Sequence, residues 1–124
     1  MQQLIFIAAG GALGAVMRFG VSNGVHAVFG RDFPYGTLTV NVLGSLLIGF
    51  CYITLLERFS LGPEWRAFII IGILGAFTTF STFSLETFNL IENGEIIKAA
   101  ANVVLSVTIC LLAAWIGIVI ARQL

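Results

Sequence analysis

The sequence predicts an all-α membrane protein with four transmembrane helices, the third of them broken near its middle. Three observations predict it. The first is composition: 59% of the 124 residues are hydrophobic and 10% are charged, with a mean hydropathy of +1.06. Six basic and six acidic side chains cannot supply the charged surface of a soluble domain. The second is segmentation: the apolar residues fall into four stretches, each near or above the ~20 residues that a spanning helix needs. The third is a run of glycine, threonine and serine inside the third stretch.

The first stretch covers residues 3–29. No basic region precedes it, so it reads as a retained span and not a cleaved signal peptide. A polar connector, Gly-Arg-Asp-Phe-Pro-Tyr at 30–35, leads to the second stretch, 36–56, which stops at Glu57 and Arg58. Gly62, Pro63 and Glu64 then restart a helix. Proline suits a first helical turn, and glutamate favours the positive end of the helix dipole. The third stretch is 64–91. Asn93 and Gly94 mark a turn, and the fourth stretch, 95–121, ends beside Arg122. The whole chain, 1–124, reads as one four-span membrane domain without an internal repeat.

The run inside the third stretch is Gly-Ile-Leu-Gly-Ala-Phe-Thr-Thr-Phe-Ser-Thr-Phe-Ser-Leu-Glu at 72–86. Each glycine costs a helix about 1 kcal/mol relative to alanine, and threonine is β-branched. In lipid, a weakened helix is tolerated only where protein or a water-filled cavity satisfies the freed backbone. A broken membrane helix therefore points to an ion or substrate site. The half-helix after the break would present free N–H groups and a positive dipole end, while the carbonyls before it could hold a small cation.

An even number of spans puts both termini on one side. That side carries Arg58, Arg66 and Arg122, and the other carries Arg31 and Lys98. The resulting positive-inside bias is feeble. Either details outside this count set one orientation, or the chain inserts both ways and pairs as an antiparallel, dual-topology homodimer. Two-fold assemblies are the commonest kind. The net charge of zero leaves no electrostatic footprint for nucleic acid.

Polar residues at spacing four share a helix face. In the first span these are Gly10, Gly14, Arg18 and Ser22. The two glycines form a small-xxx-small packing surface. Arg18, expensive inside a span, either snorkels to the interface or takes a buried structural or vestibule role with positive potential for an anion. The second span aligns Thr37, Asn41, Ser45 and Gly49. Asn41 either bridges helices or donates to a passing anion. The fourth aligns Asn102, Ser106 and Cys110 as a narrow polar track, where hydroxyl back-bonding is the plain alternative. Phe80 and Phe83, three apart, either pack or turn their positive ring edges toward an anion. Cys51 and Cys110 read as free buried thiols, and His26 as an interfacial residue. No catalytic triad, metal cluster or phosphate loop suggests an enzyme.

Three motifs now carry a resemblance: Gly-Ala-Leu-Gly-Ala-Val-Met-Arg at 11–18, Gly-Thr-Leu-Thr-Val-Asn-Val-Leu-Gly at 36–44, and the run at 72–86. With the four-span layout, the chain resembles the Fluc (CrcB) family of small fluoride channels. The resemblance implies an antiparallel dual-topology homodimer in a bacterial inner membrane. It also implies two pores that conduct fluoride passively and so give resistance to it. The matching pore residues are Asn41, Phe80 and Phe83, with Ser81 and Thr82 beside the path and Ser106 on the fourth span. Backbone carbonyls of Gly75 and Thr78 from both subunits would hold one structural Na+ on the two-fold axis, and Arg18 would serve the vestibule or structure. Ala76 stands where the family often has a second glycine, and Cys110 where a hydroxyl is expected.

Two other functions compete. A proton-coupled small multidrug exporter needs a membrane-embedded carboxylate, for which Glu86 is the one candidate, toward one end of its span. A non-transporting helper subunit would use the polar stripes only as interhelical contacts.

Overall fold

The computed structural model describes every residue, Met1–Leu124. Four helices are long and apolar enough to cross a membrane: Gln2–Phe29, Tyr35–Arg58, Pro63–Glu92 and Ile96–Gln123. Their boundaries follow local chemistry. Gly30 ends the first with φ 85°, a left-handed value that favours glycine. Pro63 opens the third with Glu64 beside it in the first turn. Over Tyr52–Arg58 and Ala67–Leu74 the helices widen to turns whose N–H groups reach five residues back.

The third helix does not run straight through. It is helical to Phe77, extended at Thr78 (φ −90°, ψ 157°) and at Thr79 (φ −153°, ψ 116°), and helical again over Phe80–Glu92. Residues before and after this interruption pack differently. The part before it lies along the first helix, and the half-helix Phe80–Glu92 lies mainly against the fourth. The second and fourth helices form the other extensive contact, and the first also meets the second.

Close approach at small residues makes these seams. In lipid, helices gain nothing from expelling water, so backbone proximity and dispersion must hold them. A Cβ built on Gly10 would collide with the Phe68 carbonyl and lie 3.1 Å from Gly72 Cα. On the opposite seam, a Cβ on Gly117 would collide with the Leu46 carbonyl. Val40, Ile53, Phe77 and Ala113 are among the buried apolar side chains. Large apolar residues such as Phe19 and Ile97 point outward, as expected where the surrounding solvent is hydrocarbon. Arg58 Nη2 donates to the Arg122 carbonyl at 3.0 Å at one end. At the other, Lys98 Nζ reaches the Asp32 carbonyl at 3.4 Å and Glu95 at 3.2 Å.

The seam makes one prediction. Gly10→Val should destabilise the protein by about 1–3 kcal/mol or more, the usual cost of overpacking, read as a lower unfolding midpoint in detergent. Gly20→Ala, at a position with open space around its Cα, should leave the midpoint unchanged or slightly raised.

Candidate functional site

Interrupting a helix frees backbone groups that must find partners. The Thr78 N–H and hydroxyl both close onto the Leu74 carbonyl, at 3.2 Å and 3.0 Å. The next N–H, of Thr79, would reach the Gly75 carbonyl in a continuous helix. It donates instead to Asn41 Oδ1 at 2.8 Å, and Asn41 Nδ2 donates back to the Thr79 carbonyl at 3.0 Å. The amide of Asn41 thus pairs with both backbone groups of one residue, as a neighbouring strand would. That double match fixes which end of the amide is oxygen. An amide nitrogen carries two hydrogens, so one N–H of Asn41 is left over.

Thr79 also caps the half-helix. Its Oγ1 accepts from the Thr82 N–H at 3.2 Å, satisfying one of the orphan donors of a helix start. It donates its own proton to Thr82 Oγ1 at 3.0 Å. The contact of Ser81 Oγ with Thr79 Oγ1, 3.4 Å, is then long and has Ser81 as donor. Thr82 receives a hydrogen bond and keeps its own proton for another acceptor. The Gly75 and Thr78 carbonyls meanwhile lose their next-turn donors, because Thr79 N–H goes to Asn41 and Thr82 N–H goes to the cap.

Two hollows flank the interruption, and Thr79 borders both. An open groove of about 470 Å³ is lined by Asn41, Gly75, Thr78, Phe80, Phe83 and Ser106 among others. Phe83 is 9% exposed and Phe80 is 77% exposed. Their rings are tilted by 46° with centroids 5.3 Å apart. A smaller hollow of about 270 Å³ brings Arg18 together with Ser22, Asn23, Thr37 and Thr82. Arg18 Nε is buried and has no hydrogen-bond partner in the chain. A guanidinium held this way gives the hollow a fixed positive charge that wants a counter-charge or acceptor.

Most of the residues singled out in the sequence meet here. Asn41, Gly75, Thr78, Phe80, Phe83, Ser106 and Cys110 share the groove, and Arg18 and Thr82 share the hollow. Ser81 is exposed on the half-helix and lines neither. Glu86 lies in a separate mixed-charge hollow at one end, with Arg31, Glu95 and Lys98. Asn102 sits behind the groove, 2% exposed. Thr79 is not among the residues the sequence singles out, although a threonine just before a restarting helix is an N-cap signal. His26, in the last turn of the first helix, is buried within the chain at 8% exposed, and its Nε2 accepts the Gly36 N–H at 3.1 Å. The start of the second helix needs acceptors for its free N–H groups, and this ring supplies one.

The family model described as "CrcB-like protein, Camphor Resistance (CrcB)" matches residues 5–118. Among similar curated proteins, one of Methylococcus capsulatus named "Fluoride-specific ion channel FluC" is 57% identical over 98% of this chain. The chain spans only 53% of that relative's length. Proteins of the same name in Coxiella burnetii and Citrifermentans bemidjiense are 52% and 49% identical. Those alignments cover 98% and 100% of this chain, and 97% and 100% of the relatives.

The Asn41–Thr79 pairing predicts a large structural cost. Asn41→Leu strands one part-buried donor and one part-buried acceptor, each costing about 1 kcal/mol or more, so unfolding in detergent should show a loss of about 2 kcal/mol or more. Ser45→Ala, in the same groove, should stay within about 0.5 kcal/mol.

Proposed function

The chain belongs to the CrcB-like family, and on that premise we propose that it is a passive, fluoride-selective channel. The observation that carries this reading is the groove at the interrupted helix, which gathers neutral donors and aromatic rings and holds no fixed charge in its lining. The agreement in name among relatives aligned over nearly the whole chain supports the choice of ion.

Fluoride is small and strongly hydrated, so a pathway must replace water's donors. Fixed charge throughout would trap the ion, and conduction requires binding weak enough to release it. In the groove the spare N–H of Asn41 is a free neutral donor, and the Ser106 hydroxyl becomes one when it turns from Asn102 Oδ1; Thr82, which keeps its own proton, and Ser81 stand beside the groove and not in its lining. Phe80 and Phe83 offer ring edges, which are positive without carrying charge. Arg18 sits on the far side of Thr79 from the groove, where it would draw anions toward the path without standing in it. Alternatively its charge serves packing alone.

The assembly we propose is an antiparallel, dual-topology homodimer with two pores. It is built from one four-span domain per chain in a bacterial inner membrane, and it expels fluoride and confers resistance to it. Gly75 and Phe80 are exposed on the open side of the groove. Backbone carbonyls that have lost their donors are costly against lipid, and a second copy would cover them. The Gly75 and Thr78 carbonyls suit a small cation: they are free of helical donors, and Gly75 adds no side chain. One chain offers too few such oxygens for a complete site, so a structural Na+ would draw on both subunits.

Fluoride efflux from liposomes that contain only this protein tests the reading. Efflux of fluoride without chloride is expected; no fluoride efflux, or equal chloride efflux, would overturn it. Phe80→Ile and Asn41→Asp should each lower the flux about tenfold, equivalent to about 1.4 kcal/mol, with the dimer retained on size exclusion. Replacing Na+ by N-methylglucamine should weaken dimerisation in detergent. A current carried by Na+ itself would contradict a structural role for the cation.

A further inference from the structure

The half-helix Phe80–Glu92 is the least supported element around the groove. It is 13 residues long, packs mainly on the fourth helix, and exposes Phe80, Leu85 and Phe88. Its contact with the fourth helix contains a polar connection that the groove does not use. Asn102, one of the two largest fully buried side chains, donates from Nδ2 to Thr87 Oγ1 at 2.9 Å. Thr87 Oγ1 in turn donates to the Phe83 carbonyl at 2.8 Å. On its other side, Asn102 Oδ1 faces the Ser106 hydroxyl at 3.4 Å. A directional chain therefore runs from Ser106 through Asn102 and Thr87 to the backbone of Phe83, and its members polarise one another.

We infer that Asn102 and Thr87 form a clamp that sets the register of the half-helix on the fourth helix, holding Phe83 opposite Ser106 across the groove. They are positioning residues, and the inference rests on the fluoride pathway proposed above. Asn102 is buried and lines neither hollow, so it does not meet an ion itself. The clamp is specific because its neighbours cannot replace it. Sliding the half-helix by one turn, about 5.4 Å, would set Asn102 against Phe83 or Ile91. Neither side chain can accept its N–H, and a buried amide without a partner is costly in lipid.

A double-mutant cycle on fluoride efflux tests this, with flux normalised to dimer recovered on size exclusion. Thr87→Val, which keeps the shape and removes the hydroxyl, is expected to lower efflux about tenfold. Thr87→Ser, which keeps the hydroxyl, should recover it. Asn102→Leu should match Thr87→Val, and the double variant should be no worse than either single within about twofold, as for residues that act as one unit. Losses that multiply, or unchanged efflux in Thr87→Val, would overturn the clamp while leaving the channel reading intact. If the unaltered protein passes no fluoride, the pathway falls and the positioning role with it. Amide exchange in detergent reads the register directly. With Thr87→Val, residues 80–92 should exchange at least tenfold faster and the first helix should not change. Exchange that is unchanged, or accelerated everywhere, would refute a local clamp.

Discussion

A helix that stops inside an apolar span must hand its freed backbone to something, and here it hands it to Asn41. Both polar ends of that amide go to the N–H and C=O of Thr79. In water such a pair would be worth little, because solvent competes for every group. Between the helices of a span competition is reduced, and without Asn41 two backbone groups lose their protein partners. This one interaction makes the extended Thr78–Thr79 geometry affordable. The rest follows from that geometry: the cap by Thr79, the new direction of the half-helix and the two hollows on either side.

The surrounding helices supply what the interruption cannot. Gly10 and Gly72 bring the first and third helices to backbone contact, and Gly117 brings the fourth to the second. These seams hold the two parts of the third helix against different partners, one part on the first helix and the other on the fourth. The groove is the space left between them. It is polar at the interruption and apolar along its walls, with Ile48, Leu74 and Leu111 beside the donors. That mixture suits the proposed pathway: an ion would meet no donors along the apolar walls and find them at the interruption, first at the spare N–H of Asn41.

Much of this was legible in the chain alone. Hydropathy sets four apolar stretches, and the structure has four helices long enough to span. Proline and glycine mark their ends because φ preference is a local property. Gly10 and Gly14 were readable as a packing surface, since spacing four defines a face. The groove residues were readable in the same way, as polar positions on otherwise apolar helices. The site's partners were not. His26 is readable from its position near a helix end, but not its role as the acceptor for the Gly36 N–H. Thr79 looked like one more weak helix former, yet its backbone and hydroxyl join both hollows.

Which segments can span the membrane, where the third is weakest and which side chains are too polar to face lipid are all written along the chain. Those are local properties: hydrophobicity, backbone propensity and helical period. The pairings come from helix packing. Asn41 and Thr79 lie 38 residues apart, and Asn102 and Thr87 lie 15 apart. No periodicity relates them, because their meeting depends on where two helices cross. The crossing is set in turn by close contact at glycines along the whole seam. A polar side chain in lipid announces that it needs a partner; which partner it takes is a matter of helix packing.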